Sequence, residues 1–147
     1  MNTRRNYKRG FTLLEMLITL AIIVSLSALS FPFISNFQKR NDLEVATNTA
    51  VQTVRRAQSL SVASDGDANW GVSIIPGDIV IYRGSTYAAR DNTYDEKYSI
   101  STNITASGVT DVSFAKLSGL PSTTGTLTLS NGDTKAITIN GKGVVNY

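Results

Sequence analysis

The chain has 147 residues, of which 41% are hydrophobic and 17% charged, and it carries 14 Lys plus Arg against 11 Asp plus Glu. It contains no cysteine and no histidine, which excludes a disulfide-stapled scaffold, a thiol nucleophile, and imidazole acid–base or metal chemistry. No Gly-rich phosphate loop follows a strand and nothing marks a Ser–Lys dyad, so the sequence predicts no enzyme, no cofactor and no metal site.

The sequence pI near 9.3 comes from one short segment. Arg4, Arg5, Lys8 and Arg9 supply four of the cations, and without them the balance is ten against eleven, a side-chain charge of −1. Beyond Ala63, six cations stand against eight anions. Nucleic-acid binding needs a basic patch on the domain that makes the contact. Only isolated groups near the C-terminus, Lys142 and Tyr147, recommend DNA as a partner.

Residues 1–10 read as a basic leader. From Phe11 to Phe33 the only ionisable side chain is Glu15. These 23 residues make roughly 35 Å of helix against a hydrocarbon core of about 30 Å. The preceding cationic block places the N-terminus in the cytoplasm. A carboxylate in the middle of a spanning helix costs about 2.5–3.5 kcal/mol, so Glu15 needs either a partner or a place near the interface, with water or a lipid headgroup. Ser27-Ala28-Leu29-Ser30 is a weak version of an ordinary secretory cleavage site, yet the apolar character continues through Phe31-Pro32-Phe33. A cut between Gly10 and Phe11 instead leaves the apolar helix on the mature protein.

Behind its basic leader, Gly10-Phe11-Thr12-Leu13-Leu14-Glu15-Met16-Leu17 resembles the prepilin signal of type IV pilins and type II secretion pseudopilins. Pro32 falls where many pilins carry a helix-loosening proline. The resemblance implies that a membrane prepilin peptidase cuts after Gly10 and methylates the new amine of Phe11. It implies that Glu15 neutralises the N-terminal ammonium of a neighbouring subunit and sets its register. The subunit is expected to cross the cytoplasmic membrane once, with its head outside, and to be extracted from the lipid into a filament at the periplasm or cell surface. An assembly platform membrane protein and an assembly ATPase are the further partners implied. Many major pilins close a C-terminal loop with a disulfide, and this chain does not.

Residues 34–62 continue the helix as an amphipathic half. Leu43, Ala46, Thr47, Ala50, Val54, Ala57 and Ser61 recur at helical spacing, with Asp42, Glu44, Gln52, Arg55 and Arg56 mostly off that stripe. If continuous from Phe11 to Val62, the helix is a stalk of roughly 75–80 Å.

Residues 63–147 change period from 3.6 to 2, which predicts a β-rich head. Strands are expected near 69–75, 78–83, 97–104, 109–115, 125–130, 134–139 and 143–147. Pro76-Gly77, Asn131-Gly132 and Asn140-Gly141 supply tight turns. The fold class is α+β, a long N-terminal helix packed on an antiparallel β-sheet or sandwich. A head of this size is small for an independent core, so the helix stripe is expected to supply much of its stability. Arg55 to Leu60 with Trp70-Gly71-Val72, Phe114 with Gly125 to Leu129, and Ile137 to Val145 resemble the H-type minor pseudopilins and FimT-like minor pilins.

Two head features carry a choice of readings. Asp65-Gly66-Asp67-Ala68-Asn69 spaces oxygen ligands like the opening of a calcium loop, but Pro76 stands where a bidentate Glu is required, and a helix-to-strand turn is the other reading. Tyr82, Arg83, Tyr87, Arg90 and Tyr94 form either a recognition loop or a solvated hairpin with half-packed tyrosines. The function expected is a structural one, a minor subunit of a type IV pilus or secretion pseudopilus. The alternative is a pilin-like binding module whose head recognises DNA, a surface or a secreted substrate.

Overall fold

The computed structural model describes residues 10–146, with the side chains of residues 29–34 outside the described set. Arg4, Arg5, Lys8, Arg9 and Tyr147, and the side chain of Pro32, therefore lie outside the described residues. The chain divides into two compact units, Met1–Phe37 and Gln38–Tyr147. Helix α1 (Leu13–Val62) contributes to both, and its backbone is helical at position 32 as elsewhere.

In the second unit, the stripe foreseen from the sequence is the buried face of the helix. Leu43, Ala46, Thr47, Ala50, Val54, Ala57 and Ser61 are all buried, joined by Val51 and Thr53. The three alanines allow close approach, and the buried hydroxyls are satisfied locally: Thr47 Oγ1 donates to the Leu43 carbonyl at 2.7 Å and Thr53 Oγ1 to the Ala50 carbonyl at 2.9 Å.

A short 3₁₀ turn (Asp65–Asp67) leads into eight strands: β1 (Trp70–Ile75), β2 (Asp78–Arg83), β3 (Asp91–Ser99), β4 (Thr105–Gly108), β5 (Asp111–Phe114), β6 (Gly125–Asn131), β7 (Asp133–Ile139) and β8 (Val145–Asn146). They form two antiparallel sheets of four, in the orders β3-β2-β1-β5 and β4-β6-β7-β8. The molecule is α+β, and one core joins the helix stripe to Val72, Ile79, Ile81 and Phe114 of the first sheet and to Leu127, Leu129, Ile137 and Ile139 of the second.

Polar contacts fix the end of the helix to both sheets. The Ser61 hydroxyl accepts from the Trp70 N–H at 2.9 Å and donates to the Phe114 carbonyl at 3.1 Å. Gln58 Nε2 donates to the carbonyls of Gly119 and Lys142, each at 3.0 Å.

The strand pattern departs most from the sequence expectation between residues 91 and 108. The strand expected at 97–104 begins at Asp91 and ends at Ser99, and Thr105–Gly108 forms a separate strand of the other sheet. Asp91–Thr93 are exposed on an edge strand and show no apolar alternation to read. The alternation of Tyr98, Ile100, Thr102 and Ile104 straddles a turn, in which the Ile104 N–H donates to the Ser101 carbonyl at 3.1 Å. The strands expected at 109–115 and 143–147 are shorter, Asp111–Phe114 and Val145–Asn146.

Gly71 is buried opposite Tyr82 in the β1–β2 ladder. A Cβ there overlaps the Tyr82 ring and falls 2.8 Å from the Val112 carbonyl oxygen. Gly71→Ala is expected to destabilise the second unit by about 1–3 kcal/mol, read from urea unfolding of the full chain in detergent. Adding Tyr82→Leu should restore part of that loss, because the two side chains compete for one space.

Candidate functional site

The sequence singles out two places, the start of α1 and the β2–β3 hairpin. Gly10 and Phe11 precede the helix; both are exposed, and nothing lies within 4 Å of where a Gly10 Cβ would stand. Among the described residues, the peptide bond between them is therefore clear of regular structure and of packing. Thr12 then caps the helix: its hydroxyl accepts the Glu15 N–H at 3.2 Å, and its carbonyl accepts the Met16 N–H at 3.2 Å. Thr12-Leu13-Leu14-Glu15 has capping-box spacing, a signal present in the sequence that the motif reading passed over. Glu15 sits in the first turn, where the positive end of the helix dipole favours a carboxylate.

From Met16 to Ala28 the helix carries no charge and is uncovered among the described residues. Phe11 is 76% exposed and Leu13 80%, and every described side chain from Phe11 to Ala28 is exposed. Its hydroxyls turn inward: Thr19 donates to the Met16 carbonyl at 3.0 Å, Ser25 to Ala21 at 2.7 Å and Ser27 to Ile23 at 2.8 Å. A helix whose surface is mostly apolar and whose described hydroxyls bond back to its own carbonyls suits a surrounding without water. Among the described residues, no helix is long and apolar enough to cross a membrane. The expected span, Phe11 to Phe33, includes residues 29–34, whose side chains are outside the described set.

The five hairpin residues separate into two stacks. Tyr82 is fully buried, its OH donating to Asp111 Oδ1 at 2.6 Å and its ring meeting Tyr87 edge-on at 5.7 Å. It is thus a core residue and not part of an exposed recognition surface. Residues 79–82 of β2 are buried on both faces, so Tyr82 has no solvent side to turn to. Burial, reinforced by the Asp111 hydrogen bond, holds its phenol protonated well above the usual range.

Arg90 lies over the Tyr87 ring at 3.7 Å, and its Nε donates to both carboxylate oxygens of Asp95 at 3.0 Å. In the second stack, Arg83 lies over Tyr94 at 4.6 Å and donates to the Gly66 carbonyl at 2.6 Å, while Tyr94 meets buried Trp70 edge-on at 6.5 Å. Both guanidinium groups are engaged within the chain. Tyr94, 46% exposed, keeps the largest free surface of the five. Asp111, which orders both Tyr82 and the Tyr87 N–H, was not legible in the sequence, because a lone acid some 25 residues away carries no spacing signal.

The Asp65–Asn69 segment is a helix-to-strand turn, and the side-chain oxygens of Asp67 and Asn69 are engaged within the chain. Asp67 receives the Lys116 ammonium at 2.6 Å, Asn69 Oδ1 accepts the Lys116 N–H at 2.9 Å, and the Asp65 carbonyl accepts Trp70 Nε1–H at 2.9 Å. Among the described residues, no group of three or more acidic side chains is placed to hold a metal ion. Lys142 is exposed and offers its carbonyl to Gln58.

Comparison with known families places one segment. Residues 5–31 match the family model described as the prokaryotic N-terminal methylation motif. No curated protein and no solved structure matches the chain. The motif indicates a subunit of the pilin or pseudopilin type, and it implies processing by a prepilin-type peptidase and assembly with other such subunits.

Helix and sheet are also joined by charge. Arg56 grips Glu96 of β3 with two hydrogen bonds, Nε to Oε2 at 3.0 Å and Nη2 to Oε1 at 2.8 Å, and Tyr98 OH adds a third at 3.0 Å. The Arg56 hydrogen bond holds the Glu96 carboxyl below its ordinary range. A depressed carboxyl adds stability above its unfolded value, about 4.3, and that stability is lost as pH falls through the lower folded value. Arg56→Gln should therefore lower the thermal midpoint slightly at pH 7, as expected for a partly exposed pair, with the difference from the native chain closing towards pH 3. Scanning calorimetry across pH 3–7 checks this.

Proposed function

We propose that the chain is a structural subunit, a minor pilin or pseudopilin, of a type IV pilus or a type II secretion pseudopilus. The observation that carries this reading is the start of the helix: every described side chain from Phe11 to Ala28 is exposed, the hydroxyls of Thr19, Ser25 and Ser27 bond back to its own carbonyls, and Glu15 is the one ionisable group from Phe11 to Phe33. Such a helix needs a lipid or protein surrounding. The matched methylation motif supports the same assignment.

On this reading, the precursor crosses the cytoplasmic membrane once, N-terminus inside. The peptidase cuts between Gly10 and Phe11 and methylates the Phe11 amine. An ammonium and a carboxylate close together in a low-dielectric bundle attract far more strongly than in water, while either alone is costly. Glu15 of one subunit then pairs with the Phe11 amine of the next, so the stagger that pairs them is selected and others leave a buried charge. A platform membrane protein and an assembly ATPase supply the extraction. The head is taken for that of an H-type subunit, a reading its two antiparallel sheets support, and no catalysis is assigned to it.

A second reading, a pilin-like binding module, has one observation in its favour: the exposed ring of Tyr94, held between Trp70 and Arg83.

Intact mass and N-terminal sequencing of the chain from membranes, with and without the prepilin peptidase, test the proposal. Loss of residues 1–10 and one added methyl group on Phe11 are expected only when the peptidase is present. An uncut chain, or one cut near Ser30, would overturn it. In the processed background, Glu15→Ala should be made, cut and membrane-held but largely absent from sheared filaments or pseudopili, whereas Glu15→Asp keeps partial incorporation.

A further inference from the structure

The two sheets present four edges, and three of them are guarded. β3 carries Asp91, Asp95, Glu96 and Lys97 and is held by Arg56. β5 is covered by the segment that follows it: Phe114 bridges to Pro121, and the Ser122 N–H donates to the Ser113 carbonyl at 2.7 Å. β8 has only two residues among those described, Val145–Asn146. Charge, proline cover and shortness are the usual means of keeping an edge from pairing with another chain.

β4 differs. Thr105, Ala106, Ser107 and Gly108 bring no charge and no proline, and three of the four residues are exposed. The strand pairs with β6 on its inner side, and none of the described hydrogen bonds reaches its outer side. Beside it opens an apolar cavity of about 240 Å³, walled mainly by Ile74, Ile75, Pro76, Ile104 and Ala106. An aliphatic cavity of about 150 Å³ accommodates a benzene ring, so this one has room for a large apolar side chain. A free strand edge and an adjoining side-chain pocket are the two parts of recognition by strand addition, in which the backbone supplies affinity and the pocket specificity.

We infer that β4 is an acceptor edge for an extended, uncharged segment of another polypeptide. That segment lies outside β4 as a fifth strand of the second sheet and lodges one aliphatic side chain in the cavity. β6 shows the chemistry that β4 accepts: its Gly125-Thr-Leu-Thr-Leu-Ser-Asn131 run alternates hydroxyl and aliphatic residues and pairs antiparallel from Thr105↔Ser130 to Gly108↔Leu127. The outer strand continues this existing ladder. Because β4 has no charge, a charged strand would shed water there without a counter-charge, so the edge selects a neutral one. The inference rests on the second unit and is independent of the filament reading.

The test uses the full chain in detergent micelles and, as probe, a capped synthetic peptide with the β6 sequence, residues 125–131. Hydrogen exchange should slow at residues 104–108 when the peptide is added, with β3 unchanged. A titration of labelled peptide should show binding that Ser107→Lys weakens at least about tenfold by charging the edge. Ala106→Phe, which fills the cavity, should do the same. Ser107 is exposed, so its lysine variant should keep the native thermal midpoint and fold even if Ala106→Phe does not. Absence of binding, protection at β3 instead, or affinity unmoved by Ser107→Lys would overturn the inference. Dimerisation of the chain alone, abolished by Ser107→Lys in analytical ultracentrifugation, would assign the edge to a second copy and overturn the assignment to a foreign strand.

Discussion

Ala46, Ala50 and Ala57 let two β-sheets close onto one face of helix α1, and the whole second unit depends on that contact. No disulfide is available to restrain the strands, and a region of this size buries too little surface to be stable by its sheets alone. The helix supplies what is missing. Leu43 and Val54 are buried in the core shared with both sheets, while Ser61 and Gln58 use hydrogen bonds to hold β1, β5 and the last turns against the helix end. Ion pairs from Arg40 to Asp133, Glu44 to Lys135 and Arg56 to Glu96 line the border of this contact. Exposed as they are, they fix register more than they add stability.

The same helix obeys the opposite rule near its start. There it has no polar face, and its hydroxyls bond back to its own carbonyls, so it gains nothing from water. A carboxylate in that setting is useful only if something positive arrives. On the proposed reading, processing after Gly10 creates such a group, the amine of Phe11, four residues before Glu15 in the sequence. The two units thus divide the work of the proposed subunit: one provides an assembly surface that is stable only when covered, the other a folded body that is stable by itself burying half of a helix.

The aromatic hairpin shows how a composition that suggests recognition can serve the fold. Two arginines stacked on two tyrosines are a common contact motif. Here Arg90 is bound to Asp95 and Arg83 to the turn at Gly66, which leaves their cationic character largely spent inside the chain. What these stacks achieve is a stiff connection between β2 and the long exposed strand β3. The unguarded edge lies elsewhere, on a strand without aromatic or charged residues.

The sequence by itself determined the methylation motif around Gly10, Phe11 and Glu15, the change of period after residue 62 and the buried helix stripe, because each is written in local spacing: a run, a 3.6-residue repeat, an alternation. It also marked β1, β6 and β7, whose apolar alternation faces a single core, and β2, which is apolar on both faces. Only the tertiary structure decided that Tyr82 is a core residue, since that depends on Gly71 and Asp111 meeting it across the first sheet. It alone placed β3 and β4 in different sheets, because an exposed edge strand carries no hydrophobic period and a turn at Thr102–Asn103 can hide inside an apparent one. Short-range patterns record which face of an element is buried. They do not record what lies on the other side of the core, and that is what separated the hairpin from the open edge.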